Sequence, residues 1–206
     1  MFFNGLSAQE SHFSDKGVKL ADTYDSPVYG YATEQIKAAL RLAYSIYEKI
    51  AYFLNEYYSL GLGNTGFSHV WYTDGERSKG LHDKFENSHN WPLNALFWVK
   101  KDFYGGPLDV SESVEEIPAT AEEIRHALEH RYLSVHDEGD ISTGDDAEDW
   151  FNDDLKEQIT RSQLVASGLE MLKTARRGLV YLSLAVHYEE QTKTESDVDR
   201  EKNIST

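Results

Sequence analysis

Residues 33–60 read TEQIKAALRLAYSIYEKIAYFLNEYYSL, a run that contains neither proline nor glycine. Apolar side chains recur in this run at steps of three and four residues, at Ile36, Leu40, Ala43, Tyr47, Ile50 and Leu54. The sequence Gly61-Leu62-Gly63-Asn64 then interrupts the pattern. Such a period places the apolar residues on one face of a helix. The stretch therefore predicts a long amphipathic helix around which the rest of the chain packs.

Two further helices are predicted in the middle of the chain. One opens at Asn90-Trp91-Pro92 and ends at Gly105-Gly106-Pro107, because proline is tolerated in a first helical turn and a glycine pair followed by proline stops a helix. The next begins at Thr120, where Glu123 stands in the capping-box position. The residues that this helix is expected to carry inward are Ile124, Leu128 and Val135.

A last helix is predicted from about Trp150 or Leu155 to Glu190, through a series of leucines. Four helices predict an all-α fold, a four-helix up-and-down bundle with long loops. The only β-like run is at residues 67–72. It predicts at most a short extra element there.

Composition and length predict one domain over residues 1–206. The chain is 40% hydrophobic and 13% aromatic, enough to bury a full core, and its helical part is expected at about 28–191. Two polar stretches lie outside that core: an acidic loop at about 137–149 and a frayed tail at about 192–206. Cysteine is absent, which excludes disulfides, thiolate metal sites and cysteine nucleophiles.

The hydropathy and net charge of the sequence indicate whether a membrane or a nucleic acid is an expected partner. No apolar run is long enough to cross a membrane, and the N-terminus lacks the basic and apolar parts of a signal peptide, so a cytoplasmic protein is expected. The net charge of −16 makes the surface as a whole repel nucleic acid. An RNA substrate would need a local basic patch, for which the candidates are Lys100, Lys101, Arg125, Arg131, Lys173, Arg176 and Arg177.

Chemically versatile side chains concentrate in residues 124–132, IRHALEHRY. Histidine exchanges a proton near neutral pH and arginine binds phosphate through a fixed fork of donors, a combination suited to phosphodiester chemistry without a metal. On an ideal helix Tyr132 lies within about 20° of Arg125, whereas His130 lies about 140° away. Convergence on one phosphate then requires arginine's reach, a helix distortion, or a second subunit.

The same residues allow other interpretations. Glu122, His126 and His130 recur every four residues, which is a spacing that could begin a metal site, although the neighbouring arginines would repel a cation. Arg125 and Glu129 could instead form an ion pair on a solvated helix face, with the histidines merely hydrogen-bonded. A second arginine and histidine, Arg131 and His136, repeat the spacing of Arg125 and His130.

Arg125, a polar residue after it, and His130 after four intervening residues resemble the signature of the HEPN superfamily. Its members are compact helical bundles, and many are RNA-cutting toxins or defence nucleases. Four segments resemble one bacterial branch of that superfamily, so that the likeness spans about Asp22 to Glu190. They are Asp22–Asp25, Arg41–Ala51, Trp98–Asp102 and Arg177–Ser183.

The resemblance implies a metal-independent endoribonuclease without a cofactor, acting in a toxin or antiphage-defence role. Arg125 would bind the scissile phosphate and His130 would transfer a proton. His126 stands where the family more often has asparagine, and would orient groups or carry a second proton. Glu129 and Arg131 would contact the substrate. The RNA 2′-hydroxyl would be the nucleophile, giving a 2′,3′-cyclic phosphate and a 5′-hydroxyl.

The resemblance also implies partners. Two copies of the motif would face one cleft in a homodimer with a composite active site. Tyr132, two residues after the histidine, is similar to a tyrosine that a partner nucleotidyltransferase modifies to silence such toxins. The alternative is a noncatalytic HEPN module that binds nucleotide or RNA, or serves as a regulatory or assembly subunit, since members of the superfamily often lose activity while keeping the fold.

Overall fold

The structure of the chain, a computed structural model, describes residues 1–7, 12–17, 29–104, 124, 128, 132–136 and 156–204. The predicted acidic loop at about 137–149 lies outside these residues. The chain divides into two compact units. Unit 1 comprises Met1–Ser45 and Asp109–Lys173, and unit 2 comprises Ile46–Leu108 and Thr174–Thr206.

Helices dominate the described residues, and the predicted all-α fold class is confirmed. The helices are α1 (Phe2–Ser7), α2 (Tyr31–Tyr57), α3 (Asp83–Glu86), α4 (Trp91–Tyr104) and α5 (Arg161–Ile204), with single 3₁₀ turns at Phe13–Asp15, Thr73–Gly75 and Arg77–Lys79. Two short strands are also described, β1 (Tyr132–His136) and β2 (Lys156–Thr160). None of the described helices is both long enough and apolar enough to span a membrane.

The long helix predicted at 33–60 is α2. All six residues of the predicted apolar stripe are buried, and Ile36 and Leu40 are completely inaccessible. The first turn of α2 is capped from a distance, because the Asp15 carboxylate accepts from the Tyr31 backbone N–H at 3.1 and 3.2 Å. Beyond the helix Gly61 adopts φ +70°, a conformation that glycine takes without strain. The period, together with its glycine stop, located this element correctly.

The third predicted helix is wrong in its extent. Ile124 and Leu128 are helical, as expected, but Val135 lies in β1, where it is buried. Aromatic, branched and small residues alternate in Tyr132–His136, a composition that favours an extended chain. The strand pairs in parallel with β2, in a register that joins Tyr132 to Lys156 and Val135 to Ile159.

The last helix also differs from its prediction at both ends. Because β2 occupies Lys156–Thr160, α5 begins at Arg161, later than the predicted Trp150 or Leu155. At its other end α5 continues to Ile204, through most of the segment predicted as a frayed tail. Residues 67–72 form no regular strand: they are turns, and Tyr72 makes one isolated antiparallel bridge to Leu81.

Each unit has its own buried interior. In unit 1 the core joins α1, α2, both strands and the start of α5 through Phe2, Ile36, Ala39, Leu40, Ile124, Leu128, Leu133, Val135, Ile159 and Leu164. In unit 2 an aromatic cluster surrounds Trp71, whose ring centroid lies 5.6 Å from that of Phe67, 5.1 Å from Phe85 and 5.4 Å from Phe97. Large buried rings contribute strongly to stability.

Gly178 of α5 lies directly against the Tyr47 ring in unit 2. A Cβ atom at this position would lie 2.9 Å from the Tyr47 hydroxyl and 3.0 Å from its Cε1. The ring cannot retreat freely, since Tyr47 is buried and its hydroxyl donates to the Thr174 carbonyl at 2.5 Å. Glycine is required here by space.

Gly178→Ala is therefore expected to lower the free energy of unfolding by about 1–3 kcal/mol, the usual cost of overpacking, despite alanine's higher helix propensity. Urea unfolding followed by circular dichroism measures the loss. Gly63→Ala is the matched control, because a Cβ there meets nothing within 4 Å. In a Tyr47→Leu background the cost of Gly178→Ala should shrink; an unchanged cost would show that the ring is not what the methyl group meets.

Candidate active site

The segment that carries the candidate catalytic residues is anchored in the core of unit 1. Ile124 and Leu128 are helical and buried, with 0% and 9% of their surface exposed. The candidate site residues between and after them lie outside the described residues, namely Arg125, His126, Glu129, His130 and Arg131. Ile124 and Leu128 are one helical turn apart, the spacing of two residues that a single helix face buries.

A change from helix to strand falls within the motif. Leu128 is helical and Tyr132 opens β1, so the helix ends between them. The predicted angle of about 20° between Arg125 and Tyr132 is therefore wrong, because it assumed an unbroken helix. The angle of about 140° between Arg125 and His130 rests on the same assumption, because His130 falls between Leu128 and Tyr132 in the sequence.

Two cationic side chains of α2 reach this segment. Arg41 Nη2 donates to the Leu128 carbonyl at 2.6 Å, and Lys37 Nζ donates to the Leu133 carbonyl at 3.3 Å. Lys37 also forms an ion pair with Glu34 at 2.9 Å. Sequence reasoning missed both contacts. The available signal was a pair of cations one turn apart, flanking the apolar stripe of the longest predicted helix.

The histidine of the second pair, His136, is buried in the interior of unit 1. His136 is the last residue of β1 and only 3% of its surface is exposed. The preceding strand residue on the other face, Val135, is buried as well. A buried strand histidine is poorly placed to exchange a proton with a large substrate, which favours Arg125 and His130 over Arg131 and His136.

The metal alternative depends on residues outside the described part of the chain. Within the described residues no group of three or more histidine, cysteine, aspartate or glutamate side chains could hold a metal ion. Glu122, His126 and His130 are not among them. The alternative thus stays a prediction, opposed by the charges of the neighbouring arginines.

One residue of the predicted basic patch, Lys100, is not available to RNA. Lys100 is buried, donates to the Tyr72 hydroxyl, and stacks over the Tyr72 ring with its ammonium 4.1 Å from the centroid. It cannot contact RNA as an exposed cation. Lys173, Arg176 and Arg177 are exposed. Lys173 lies 3.5 Å from the Glu170 carboxylate, and Arg177 donates to Thr174 Oγ1 at 2.7 Å.

A polar cluster in unit 2 is structural. The Tyr57 hydroxyl donates to the Glu190 carboxylate, and Lys193 Nζ donates to the same carboxylate at 2.8 Å. Partial burial raises the pKa of Tyr57, while the hydrogen bonds from Lys193 and Tyr57 lower the pKa of Glu190. The phenol thus stays protonated and the carboxylate stays charged. The cluster fastens the end of α2 to α5.

Comparison with known proteins gives one match. The model of the LA2681-like HEPN family matches residues 1–189, which is most of the chain and includes α1, α2, α4, both strands and most of α5. No curated protein matches the sequence. No solved structure matches it either.

Proposed function

The chain belongs to the LA2681-like HEPN family, and from that premise we propose that it is a metal-independent endoribonuclease acting in the cytoplasm in a toxin or antiphage-defence role. HEPN domains are often ribonucleases. The residues that suit this chemistry are Arg125 and His130. The observation that carries the proposal is the burial of Ile124 and Leu128, both helical, on either side of Arg125 in sequence.

Burial of those two residues sets the direction of the polar ones. An ideal helix through Ile124 and Leu128 turns His126 about 180° from their mean direction, and Arg125 about 80° from it. On such a helix we expect a side chain at position 126 to project away from the core and one at position 125 to lie along its side. The apolar residues would thus serve as an anchor that presents arginine and histidine to a substrate, whereas an Arg125–Glu129 ion pair alone would require no such neighbours.

The proposed reaction transfers the phosphoryl group within the RNA chain. The 2′-oxygen attacks the adjacent phosphorus, the bond to the 5′-oxygen breaks, and the products end in a 2′,3′-cyclic phosphate and a 5′-hydroxyl. One proton leaves the 2′-hydroxyl and one reaches the departing 5′-oxygen. His130 transfers one of these protons and His126 is the candidate for the other. Arg125 stabilises the charge that develops on the phosphate, while Glu129 and Arg131 contact flanking nucleotides.

The proposal extends to partners. We expect a homodimer in which two copies of residues 124–132 face one cleft, and a nucleotidyltransferase that silences the enzyme by modifying Tyr132. Analytical ultracentrifugation tests the dimer. Incubation with the nucleotidyltransferase and labelled ATP, compared between the wild type and Tyr132→Phe, tests the modification.

The chemistry itself is tested by incubating the purified protein with tRNA and total RNA in EDTA. Cleavage is expected to proceed and to leave 2′,3′-cyclic phosphate ends, and a 2′-deoxy nucleotide at the cut site should block it, because the nucleophile is then missing. DNA of the same sequence is the control substrate. If a well-folded protein cuts no RNA with or without divalent metal, the noncatalytic binding module is the better description.

A further inference from the structure

Lys37 and Arg41 of α2 hold the chain on both sides of the proposed catalytic histidine. Arg41 Nη2 donates to the Leu128 carbonyl at 2.6 Å and Lys37 Nζ donates to the Leu133 carbonyl at 3.3 Å. His130 lies between these two anchored carbonyls in the sequence. Unit 1 contains all of these residues. A single turn of α2 therefore fixes both ends of the segment that joins helix to strand.

The Leu128 carbonyl needs an outside donor. Because Leu128 is helical and Tyr132 is already in β1, this carbonyl belongs to the last turn of its helix, where backbone amides no longer supply partners. The same end carries the negative pole of the helix dipole, which favours a cation. The guanidinium of Arg41 meets both requirements.

Lys37 and Arg41 differ in the number of hydrogen-bond donors that remain for a ligand. Lys37 is buried, and its ammonium is engaged by Leu133 and by Glu34. Arg41 is exposed, and within the described part of the chain no carboxylate forms an ion pair with it. A guanidinium has five N–H donors in a flat fork. One of them donates to Leu128, and no other described residue accepts from the rest.

Covalent geometry limits how far Arg41 is from the proposed active site. A chain of n residues spans at most about 3.6 Å per residue. The Cα atom of His130 therefore lies within about 7 Å of that of Leu128, and the Cα atom of Arg125 within about 11 Å. These limits hold whatever conformation the intervening residues take. These limits keep Arg125 and His130 near the carbonyl that the Arg41 guanidinium contacts, so that one RNA strand could reach all three residues.

Another basic residue, Lys156, lies at the end of the sheet that the chain reaches from Leu128. In the parallel register Lys156, the first residue of β2, pairs with Tyr132, the first residue of β1. This pair marks the end of the sheet at which the chain arrives from Leu128. The register therefore places Lys156 at the end of the sheet nearest the segment that Arg41 contacts. A protein of net charge −16 needs such local concentrations of basic residues to attract RNA.

We propose that Arg41 is a substrate-binding residue that uses one edge of its guanidinium on the Leu128 carbonyl and the other on an RNA phosphate next to the scissile one. The inference rests on the proposed ribonuclease function. Lys37, whose charge is already neutralised, is a positioning residue that holds β1. Arginine suits the double role because the five N–H donors of its flat fork point in fixed directions, so that one edge can bind the carbonyl while the other is held towards a phosphate.

The experiment measures binding of a mixed-sequence 2′-O-methyl RNA, which lacks the nucleophile and stays intact, by fluorescence anisotropy over a range of salt concentrations. Arg41→Gln is expected to weaken binding about tenfold, a typical loss for one charged hydrogen bond. The slope of log affinity against log salt should fall by about 0.7, the contribution of one phosphate contact on a single strand. Arg77→Gln is the matched control, because Arg77 is an exposed arginine of unit 2, and it should change neither quantity.

A purely structural role would give a different result. Lys37→Met is expected to lower the urea midpoint while leaving the salt slope at its wild-type value, and an Arg41→Gln variant with the same behaviour would overturn the proposal. Should Arg41→Gln fail to fold, Arg41→Lys takes its place, and wild-type affinity in that variant is the overturning result. Failure of the wild type to bind RNA would overturn the ribonuclease as well, whereas normal RNA cleavage with an unaltered slope in Arg41→Gln removes only the role of Arg41.

Discussion

Replacing Arg125 or His130 with alanine is expected to lower the rate of RNA cleavage by about 10²–10⁴-fold, because each change removes a group that acts on the reacting phosphate itself. Single-turnover cleavage of a labelled RNA in EDTA measures the loss. The buried core residues Ile124 and Leu128 stay unchanged in both variants, so the fold should survive. Equal circular dichroism spectra and urea midpoints for variants and wild type would establish that the chemistry alone was lost.

The second pair of residues provides the internal comparison for this result. His136 is buried in β1, so His136→Ala is expected to lower stability, with cleavage reduced only as far as the folded fraction falls. His126→Asn introduces the residue that is more usual in the superfamily, and should retain activity if His126 only orients other groups. Full activity in Arg125→Ala and His130→Ala, with cleavage abolished in a folded Arg131→Ala variant, would move the active site to the second pair.

The helix α2 was predictable because its signal is long and local. Six apolar residues at helical spacing, followed by glycines, fix both its buried face and its end. The strands were not predictable in the same way. β2 has the sequence KEQIT, with little strand propensity of its own, and becomes a strand by pairing with β1, from which 19 residues separate it. Pairing at that distance leaves almost no trace in a local pattern.

In the candidate site, too, the features encoded locally were predictable and the contacts between distant residues were not. Spacing and chemistry singled out Arg125 and His130, since both properties can be read from adjacent residues. The contact of Arg41 with Leu128 joins positions 87 residues apart, and no periodicity indicates which carbonyl an exposed arginine will reach. Lys100 shows the converse error. Its charge suggested an RNA contact, yet aromatic neighbours bury its long stem beside Tyr72 and Phe97.

Trp71→Ala is expected to lower the free energy of unfolding by about 3–5 kcal/mol, the usual loss for truncating a buried aromatic side chain. Trp71 is completely inaccessible, and its ring contacts three other buried or half-buried rings, so alanine would leave a cavity that rigid neighbours cannot fill. Urea unfolding followed by far-UV circular dichroism measures the change. Trp91→Ala is the matched control, because 80% of Trp91 is exposed, and its effect should stay within about 0.5 kcal/mol.

Trp71→Phe separates the two contributions of this side chain. The indole Nε1 is buried and has no hydrogen-bond acceptor among the described residues, and an unsatisfied buried donor costs about 1–3 kcal/mol. Phenylalanine removes that donor while keeping most of the ring contacts. The free energy gained by removing the unsatisfied donor then offsets part of the packing energy lost with the smaller ring. The cost of Trp71→Phe should therefore fall well below that of Trp71→Ala. Equal costs would mean that packing by the second ring of the indole, rather than the burial of aromatic surface in general, holds unit 2 together.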